Sequence, residues 1–258
     1  MQKIANEMHF SETTFTRLSQ TNNTVYDVRI FTPTTEVPFA GHPTLGTAYV
    51  IKHFLAKEPN EEITLNLKVG KIKIRFEKEP NNQEILWMKQ IQPVFSEEFN
   101  PQSFQNLLGL EPSDFDLKYP IKKVSTGLPF IIVPLTNLRA VKKARINQEL
   151  LPDLTKNQLG ILIFCPQTCQ KENNLHVRVF VDAFGIAEDP ATGSGNGCLA
   201  AYLTQYKYFG SSEIDIKVEQ GFEIKRPSIL YLKAKKMEKE FEVNVGGMVQ
   251  LIAKGELL

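Results

Sequence analysis

Apolar and polar positions alternate along most of the chain, a pattern typical of β-strands. The predicted strands are 26–31, 62–69, 71–76, 129–135, 161–164, 176–180, 213–218 and 241–252. Two longer segments, 43–56 and 190–209, are predicted to be helices, and 101–110 is predicted to be a connecting helix. Because helices and strands do not alternate regularly, the pattern favours an α+β fold over a doubly wound sheet.

Part of this pattern occurs twice. The run VRIF at 28–31 resembles VRVF at 177–180, which lies 149 positions further on. Each run leads to a helix that opens near a proline, and then to a strand, a glycine and another strand. This repetition predicts two pseudo-symmetric halves, each with strands wrapped around a central helix. We expect the halves to span 1–118 and 119–258, and we allow for exchange of the C-terminal strand between them.

The second half also contains strands for which the first half has no counterpart. At the offset of 149, the counterpart of Val124 falls at position −25, before the first residue. A missing strand leaves an unpaired sheet edge, which proteins normally cover. We therefore expect that the chain is incomplete at its start, or that a partner or a rearranged segment covers this edge.

Composition narrows the class of protein. The 258 residues carry 30 basic and 29 acidic side chains, a balance that offers no electrostatic basis for binding nucleic acid or an anionic membrane surface. No apolar run is long enough to cross a membrane, and the first ten residues lack the apolar region of a signal peptide. Only three cysteines are present, Cys165, Cys169 and Cys198, which fits a reducing cytoplasm. Their spacing does not indicate a metal site.

The two halves differ at a position that could carry chemistry. At the same offset Glu12 corresponds to Ile161, so a strand position that is apolar in one half carries a carboxylate in the other. This short run alone leaves two interpretations open, a solvated edge position and a partly buried general acid/base. Glu7 and His9 are interpreted as surface or boundary residues.

The two helix starts are the second place where chemistry is expected. His42-Pro43 and Asp189-Pro190 occupy matched positions. Capping alone could explain Asp189, but histidine is a poor N-cap, so His42 needs another explanation. Helix starts favour anions such as carboxylates, and the run GSGNG indicates close approach of the backbone to a ligand or to another element. Together these groups suit proton transfer on a small carboxylic acid, without a metal cluster or a phosphate-binding loop.

At this level of detail the chain resembles a known family. The runs SETTF, VRIFTPTTEVPFAGHPTLGTA, STGLPF, EDPATGSGNG and QGFEIKRPS are similar to those of PhzF-like phenazine biosynthesis proteins. The resemblance covers nearly the whole chain. It implies the diaminopimelate epimerase fold, in which two halves, each a β-barrel-like sheet around a central helix, have the active site between them. It also implies a homodimer.

The resemblance also implies an activity. The founding enzyme of the family isomerises trans-2,3-dihydro-3-hydroxyanthranilate without a cofactor, by moving a proton along a conjugated system. By motif, its catalytic residues fall on Glu12, His42 and Asp189. The residues that hold the substrate carboxylate fall on Gly193 and Ser194. Ser11 and Gly41 complete the pocket wall.

Two departures from related patterns bear on the mechanism. Diaminopimelate epimerases and proline racemases use one cysteine on each central helix, whereas here the first helix has none and Cys198 lies well inside the second. The family also opens with a strand and a Gly-Asn-Pro stretch that this chain lacks. Three hypotheses therefore remain: a cofactor-free isomerase, a one-base epimerase, and a non-catalytic binding or dimerisation protein that lost activity with its N-terminus.

Overall fold

A computed structural model describes residues 1–19, 25–56, 61–79, 82–151, 160–181 and 186–256. The chain divides into two compact units. Unit 1 consists of Met1–Lys89 together with Gly246–Leu258, and unit 2 consists of Gln90–Val245. Within the described ranges, no helix has both the length and the hydropathy that a membrane span requires.

Unit 1 is a twisted sheet with one principal helix against it. In the sheet, β2 pairs antiparallel with β1 and parallel with β4, and β5 pairs antiparallel with β4 and β6. The short strand β3 pairs antiparallel with the end of β2. Ile30, Leu65 and Ile74 from three of these strands are fully buried with Ala48 of the helix α2. The elements are α1 (Gln2–Met8), β1 (Thr13–Leu18), β2 (Val25–Phe31), β3 (Glu36–Val37), α2 (Gly41–Val50) with a π-helical turn (Ile51–Leu55), β4 (Glu62–Leu67), β5 (Gly70–Lys78) and β6 (Glu84–Lys89).

Unit 2 repeats this arrangement and adds further strands and helices. Its elements are β7 (Val94–Phe99), α3 (Pro101–Leu108), β8 (Ile121–Ser125), β9 (Pro129–Pro134), α4 (Leu138–Lys143), β10 (Gly160–Cys165), β11 (Leu175–Val181), β12 (Ile186–Asp189), α5 (Gly193–Gln205), β13 (Glu213–Gln220), β14 (Ser228–Lys236) and β15 (Phe241–Gly247), with a 3-10 turn at Pro112–Asp114. The last two residues of β15 belong to unit 1. The strand order is β15-β14-β13-β11-β10-β9-β8-β7, with β12 on β11. The helix α5 is buried on one face of this sheet, while α3 and α4 cover the other face.

The predicted duplication is visible in the strand pairing. In unit 2, β11 pairs antiparallel with β10 and parallel with β13, as β2 does with β1 and β4 in unit 1. Ion pairs repeat as well. Arg29 makes two hydrogen bonds to Glu36 on β3, and Arg178 makes two to Glu188 on β12. The α+β fold, with one central helix in each half, is therefore confirmed.

The alignment of Glu12 with Ile161, by contrast, was wrong by one residue. Phe31 pairs with Thr13, and its counterpart Phe180 pairs with Ile161. Glu12 is therefore the counterpart of Gly160. The physical reason is the length of the connection. Counted between paired residues, the chain from β10 to β11 is one residue longer than the chain from β1 to β2. The offset of 149, which holds between β2 and β11, therefore does not hold between β1 and β10.

The boundary between the units also differs from the expected split at 118/119. Residues 90–118 lie in unit 2, because β7 pairs with β8 and the side chains of α3 enter the core of that unit. The segment Gly246–Leu258 lies in unit 1, where Gly246 packs tightly against Trp87. A Cβ atom at Gly246 would come within 2.8 Å of the indole ring.

Candidate active site

Glu12 and His42 lie next to each other in unit 1. Glu12 immediately precedes β1, and His42 is the second residue of α2. Their side chains approach to 3.0 Å, between Glu12 Oε2 and His42 Nε2. The Glu12 side chain is only 13% exposed, whereas that of His42 is 50% exposed. The distance suits an ion pair, but the two groups are not aligned as a hydrogen bond. The carboxylate is therefore largely shielded, with an accessible imidazole beside it.

Threonine side chains hold this pair in place. The hydroxyl groups of Thr47 on α2 and Thr14 on β1 are hydrogen-bonded at 2.8 Å, which fixes the helix against the start of the strand. Thr47 also donates to the carbonyl of Pro43, at 2.7 Å. Ser11 and Gly41 are the chain neighbours of Glu12 and His42, so the structure brings all four predicted residues of unit 1 to one place.

In unit 2, Asp189, Gly193 and Ser194 lie at the start of α5. β12 ends at Asp189, and α5 begins at Gly193. The Asp189 carboxylate accepts a short hydrogen bond of 2.5 Å from the Thr192 hydroxyl. By helix geometry, the N–H groups of Gly193 and Ser194 have no intrahelical acceptor, and they lie at the positive end of the helix dipole. This combination can bind a carboxylate.

Two expectations about this helix start need correction. Thr192, not Asp189, is the N-cap residue, so capping does not explain the aspartate. Pro190 lies before the helix rather than in its first turn, because the chain makes a bend there. Two glycines of GSGNG are explained by packing. A Cβ at Gly195 would lie 3.3 Å from the Phe130 ring, and one at Gly197 would lie 3.0 Å from the Gln90 side chain.

Cys198 is buried in α5 and is poorly suited to act as a base. Its Sγ lies 3.6 Å from both the Thr126 hydroxyl and the Leu128 carbonyl. Burial raises the pKa of the Cys198 thiol to about 11. Because the thiolate is the reactive form, this cysteine is inert near neutral pH. No cysteine occurs in Gly41–Val50 or in the π-helical turn that follows it. A two-thiol mechanism therefore does not fit the chain.

His176 is the centre of a buried cluster that sequence reasoning missed. An isolated histidine in a predicted strand does not indicate which distant residues it will contact. Its Nδ1 lies 2.7 Å from Glu219 and its Nε2 lies 3.0 Å from Glu223. Burial favours neutral imidazole, but hydrogen bonds to Glu223 and Glu219 outweigh it and raise the pKa of His176. Burial likewise opposes ionisation of both glutamates, yet their hydrogen bonds to His176 leave each pKa lowered. The cluster is therefore a buried imidazole between two carboxylates, an arrangement that favours the charged form of all three groups.

The same cluster contains residue types that bind metal ions, but its carboxylate is already occupied by hydrogen-bond donors. Ligand atoms of Cys169, His176 and Glu219 lie within 4.8 Å of one another. However, the Glu219 carboxylate already accepts hydrogen bonds from the backbone N–H groups of Cys169 and Gln170 and from the Asn173 amide. A metal ion would have to displace these donors as well as the histidine. We therefore interpret the cluster as structural.

Unit 1 also contains an open groove, which is separate from Glu12 and His42. Its volume is about 650 Å³, and its lining includes Phe15, Arg17, Asp27, Arg29 and Glu36. The guanidinium of Arg29, together with Lys68, lowers the pKa of Glu36 to about 2. Neither Glu12 nor His42 lines this groove. The candidate catalytic groups therefore lie outside this groove.

Comparison with known proteins identifies the family. The family model described as "Phenazine biosynthesis-like protein" matches residues 1–255. A trans-2,3-dihydro-3-hydroxyanthranilate isomerase of Pseudomonas aeruginosa is 31% identical, with 99% of this chain and 87% of the relative covered. An uncharacterized isomerase of Clostridium acetobutylicum is 32% identical over 100% of this chain and 87% of its own length.

Solved structures agree. The crystal structure of the Bacillus anthracis phenazine biosynthesis protein of the PhzF family has a TM-score of 0.87 and 30% identity, and the match covers 96% of this chain and 85% of that one. A probable proline racemase of Agrobacterium radiobacter has a TM-score of 0.58 at 8% identity, over 98% of this chain and 81% of that one, and so shares the fold alone. The chain belongs to the PhzF-like family of phenazine biosynthesis-like proteins.

Proposed function

We propose that the protein is a cofactor-independent isomerase that moves a proton on a small carboxylated, dihydroanthranilate-like substrate, with Glu12 as the acid/base. The observation that carries the proposal is the placement of Glu12, a carboxylate 13% exposed and 3.0 Å from His42. The names of its relatives support the isomerase class, and trans-2,3-dihydro-3-hydroxyanthranilate is the substrate in the name of the Pseudomonas aeruginosa relative. The buried thiol of Cys198 argues against a cysteine base.

In this mechanism Glu12 takes a proton from a carbon next to a π-system. The C–H bond breaks, its electron pair enters the conjugated system, and the carboxylate becomes a carboxylic acid. Glu12 then returns the proton to a different carbon, so that the atoms of the substrate are rearranged without gain or loss. The low exposure of Glu12 favours return of the same proton to the substrate, because a shielded carboxylic acid exchanges more slowly with water.

The other predicted residues have supporting roles in the proposal. His42 stabilises the charge that moves between Glu12 and the substrate, because an imidazole can gain or lose a proton near neutral pH. Asp189 binds a polar group of the substrate. The N–H groups of Gly193 and Ser194 bind its carboxylate, and Ser11 and Gly41 shape the wall of the pocket.

Solvent deuterium exchange tests the substrate class. Candidate substrates would be trans-2,3-dihydro-3-hydroxyanthranilate, proline, hydroxyproline and diaminopimelate, each incubated with the protein in D₂O and followed by proton NMR. The proposal predicts rearrangement of the dihydroanthranilate. Exchange at the α-carbon of an amino acid, without rearrangement, would instead identify a one-base epimerase. If none of these acids reacts or binds, the proposal fails, and a fold that is intact only as a dimer would then favour a non-catalytic binding or dimerisation protein.

A homodimer stays a prediction from the family resemblance, and a cytoplasmic location stays a prediction from the cysteine content. Light scattering coupled to size-exclusion chromatography measures the first directly, because a dimer has twice the chain mass of 29.3 kDa. The prediction of location concerns the cysteines, all three of which are free thiols in the structure. Two of them, Cys165 and Cys198, are buried.

A further inference from the structure

The buried side chain of Gln220 connects the end of β13 to the start of α5. It is fully buried and makes four hydrogen bonds. Its Nε2 donates to the carbonyl of Asp189 at 2.6 Å and to the Thr192 hydroxyl at 2.9 Å. Its Oε1 accepts from the Thr192 backbone N–H at 3.2 Å and from the Asn196 amide at 2.8 Å. Both amide protons and both lone pairs of Gln220 are therefore used.

The chemistry of these partners fixes the direction of the hydrogen bonds. A backbone carbonyl can only accept and a backbone N–H can only donate, so the Gln220 amide can have only one orientation. The Thr192 hydroxyl therefore accepts from Gln220 Nε2. The hydroxyl proton of Thr192 is left free to point to Asp189 Oδ2, 2.5 Å away, and this is the direction that suits the ionised form of the carboxylate, which only accepts. A directed relay runs from Gln220 through Thr192 to Asp189.

The strand that carries Gln220 is itself anchored. Successive residues of a strand point to opposite faces, so the neighbouring Glu219 points away from α5 and toward His176. Both side chains are completely buried at the end of β13. The relay therefore rests on a position that is fixed from both faces of the sheet.

We infer that Thr192 and Gln220 are positioning residues for Asp189, which hold its carboxylate ionised and in one orientation beside the start of α5. The inference deepens the proposed function, on which the catalytic importance of Asp189 rests. The hydrogen bond from Thr192 stabilises the charged form of the carboxylate, and the contacts of Gln220 keep the hydroxyl from turning away.

Five ionisable groups on the described parts of the surrounding elements have partners of their own. On β11 and β12, Arg178 is paired with Glu188. On β13 and the turn that follows, Glu219 and Glu223 are paired with His176. A change at the Thr192 hydroxyl leaves these ion pairs in place, so its effect on the titration of Asp189 can be separated from theirs.

The test is the substitution Thr192→Val, which keeps the shape of the side chain and removes the hydroxyl. Carbon NMR on protein labelled at aspartate carboxyl carbons follows the titration of Asp189, with Asp189→Asn used to assign its signal. We expect the titration midpoint of Asp189 to rise by about one pH unit, a tenfold change in proton affinity. The acid limb of the pH profile of kcat/KM should move in the same direction.

Matched controls separate positioning from stability. Thr192→Ser keeps the hydroxyl and should leave the midpoint of Asp189 unchanged. Thr204→Val removes a buried hydroxyl within α5, the helix that follows Thr192. This hydroxyl bonds to the carbonyls of Ala200 and Ala201, so its removal should also leave the midpoint unchanged. If Thr192→Val fails to fold, Thr192→Ala carries the same expectation.

The inference is overturned if removal of the Thr192 hydroxyl leaves the midpoint of Asp189 where it is, or if Thr204→Val moves it equally. Because the NMR titration needs no turnover, its result does not depend on the proposed function. Failure of the catalytic proposal is recognised separately, when none of the candidate substrates is rearranged in D₂O.

Discussion

The first strand of each repeated hairpin shows how the same pattern serves two purposes. In unit 2, β10 pairs with β9 on one side and β11 on the other, and all six of its residues are buried. In unit 1, the counterpart β1 has β2 as its one partner strand within the described residues, and none of its residues is fully buried. The covered strand builds a core, whereas the open strand carries a carboxylate at its start.

The residue at the start of each strand sharpens this contrast. Gly160 begins β10 directly against the ring of Phe130, where an added Cβ would lie only 2.3 Å away. Its counterpart, Glu12, has room for a whole side chain and lies beside His42. Unit 2 uses this position for close packing, whereas unit 1 uses it for a charged group, the carboxylate that we propose as the acid/base.

The repeated arginines show the same division. Arg178 has only 5% of its side chain exposed and also donates to the carbonyls of Val141 and Ala144 at the end of α4. Arg29 has 51% of its side chain exposed and lines the open groove. The pairing with glutamate is identical in the two units, but its environment is not. The cost of breaking the two pairs should therefore differ sharply.

The largest expected effect on stability is at Arg178. Arg178→Met leaves the buried carboxylate of Glu188 and two helix carbonyls without their donor, so we expect a loss of about 3–5 kcal/mol in the free energy of unfolding. The matched substitution Arg29→Met breaks an exposed pair and should leave that free energy close to wild type. Urea denaturation followed by circular dichroism measures both. Equal losses at the two sites would contradict the comparison.

A smaller effect is expected at the strand starts. Gly160→Ala forces a methyl group against the buried ring of Phe130, and we expect it to cost about 1–3 kcal/mol by overpacking. Glu12→Ala should change the free energy of unfolding little, while it removes the proposed acid/base. Denaturant unfolding of both variants measures the changes in the free energy of unfolding, and an activity assay on Glu12→Ala measures the loss of turnover. A strongly destabilised Glu12→Ala would show that Glu12 is structural.

The smallest effect concerns pH. The stability that His176 contributes is full below its unfolded pKa of about 6.5 and is lost as pH rises through its raised folded value. The contributions of Glu219 and Glu223 are full above about 4.3 and are lost as pH falls through their lowered folded values. Stability from this cluster should therefore be greatest between these limits.

Chemical denaturation at a series of pH values tests this window. His176→Gln should flatten the profile of the free energy of unfolding against pH, because it removes the titrating centre of the cluster. The equivalent positions in unit 1 are Asp27 and Asn66, which are hydrogen-bonded at 2.9 Å and contain no imidazole. Asp27→Asn is the matched control, and it should leave the high-pH decline intact. A decline that persists in His176→Gln would rule out the cluster as its source.

Much of the fold followed from local pattern. The VRxF runs and the two central helices predicted the duplication, because strand and helix periodicity are properties of short segments. The register of β1 did not follow, since it depends on loop length as well as on the offset of the neighbouring strand. The unit boundary did not follow either, because the membership of α3 is decided by packing of its apolar face, which no local signal records.

The site was predictable where motifs name residues. The GHP and SETTF runs led to His42 and Glu12, which the structure places 3.0 Å apart. The relay of Gln220 and Thr192 to Asp189 was not predictable, because it joins a strand end to a helix start some 28 residues away through buried side chains. Hydrogen bonds between distant polar residues leave no periodic trace in the sequence.

The central claim is that Glu12 is the acid/base of an isomerase. The most direct test compares turnover of trans-2,3-dihydro-3-hydroxyanthranilate by Glu12→Gln and by Glu7→Gln, an exposed glutamate on α1, after circular dichroism has shown that both variants fold. We predict that Glu12→Gln lowers kcat by about 10²–10⁴-fold, while Glu7→Gln turns over like wild type. Unchanged turnover by folded Glu12→Gln would contradict the account.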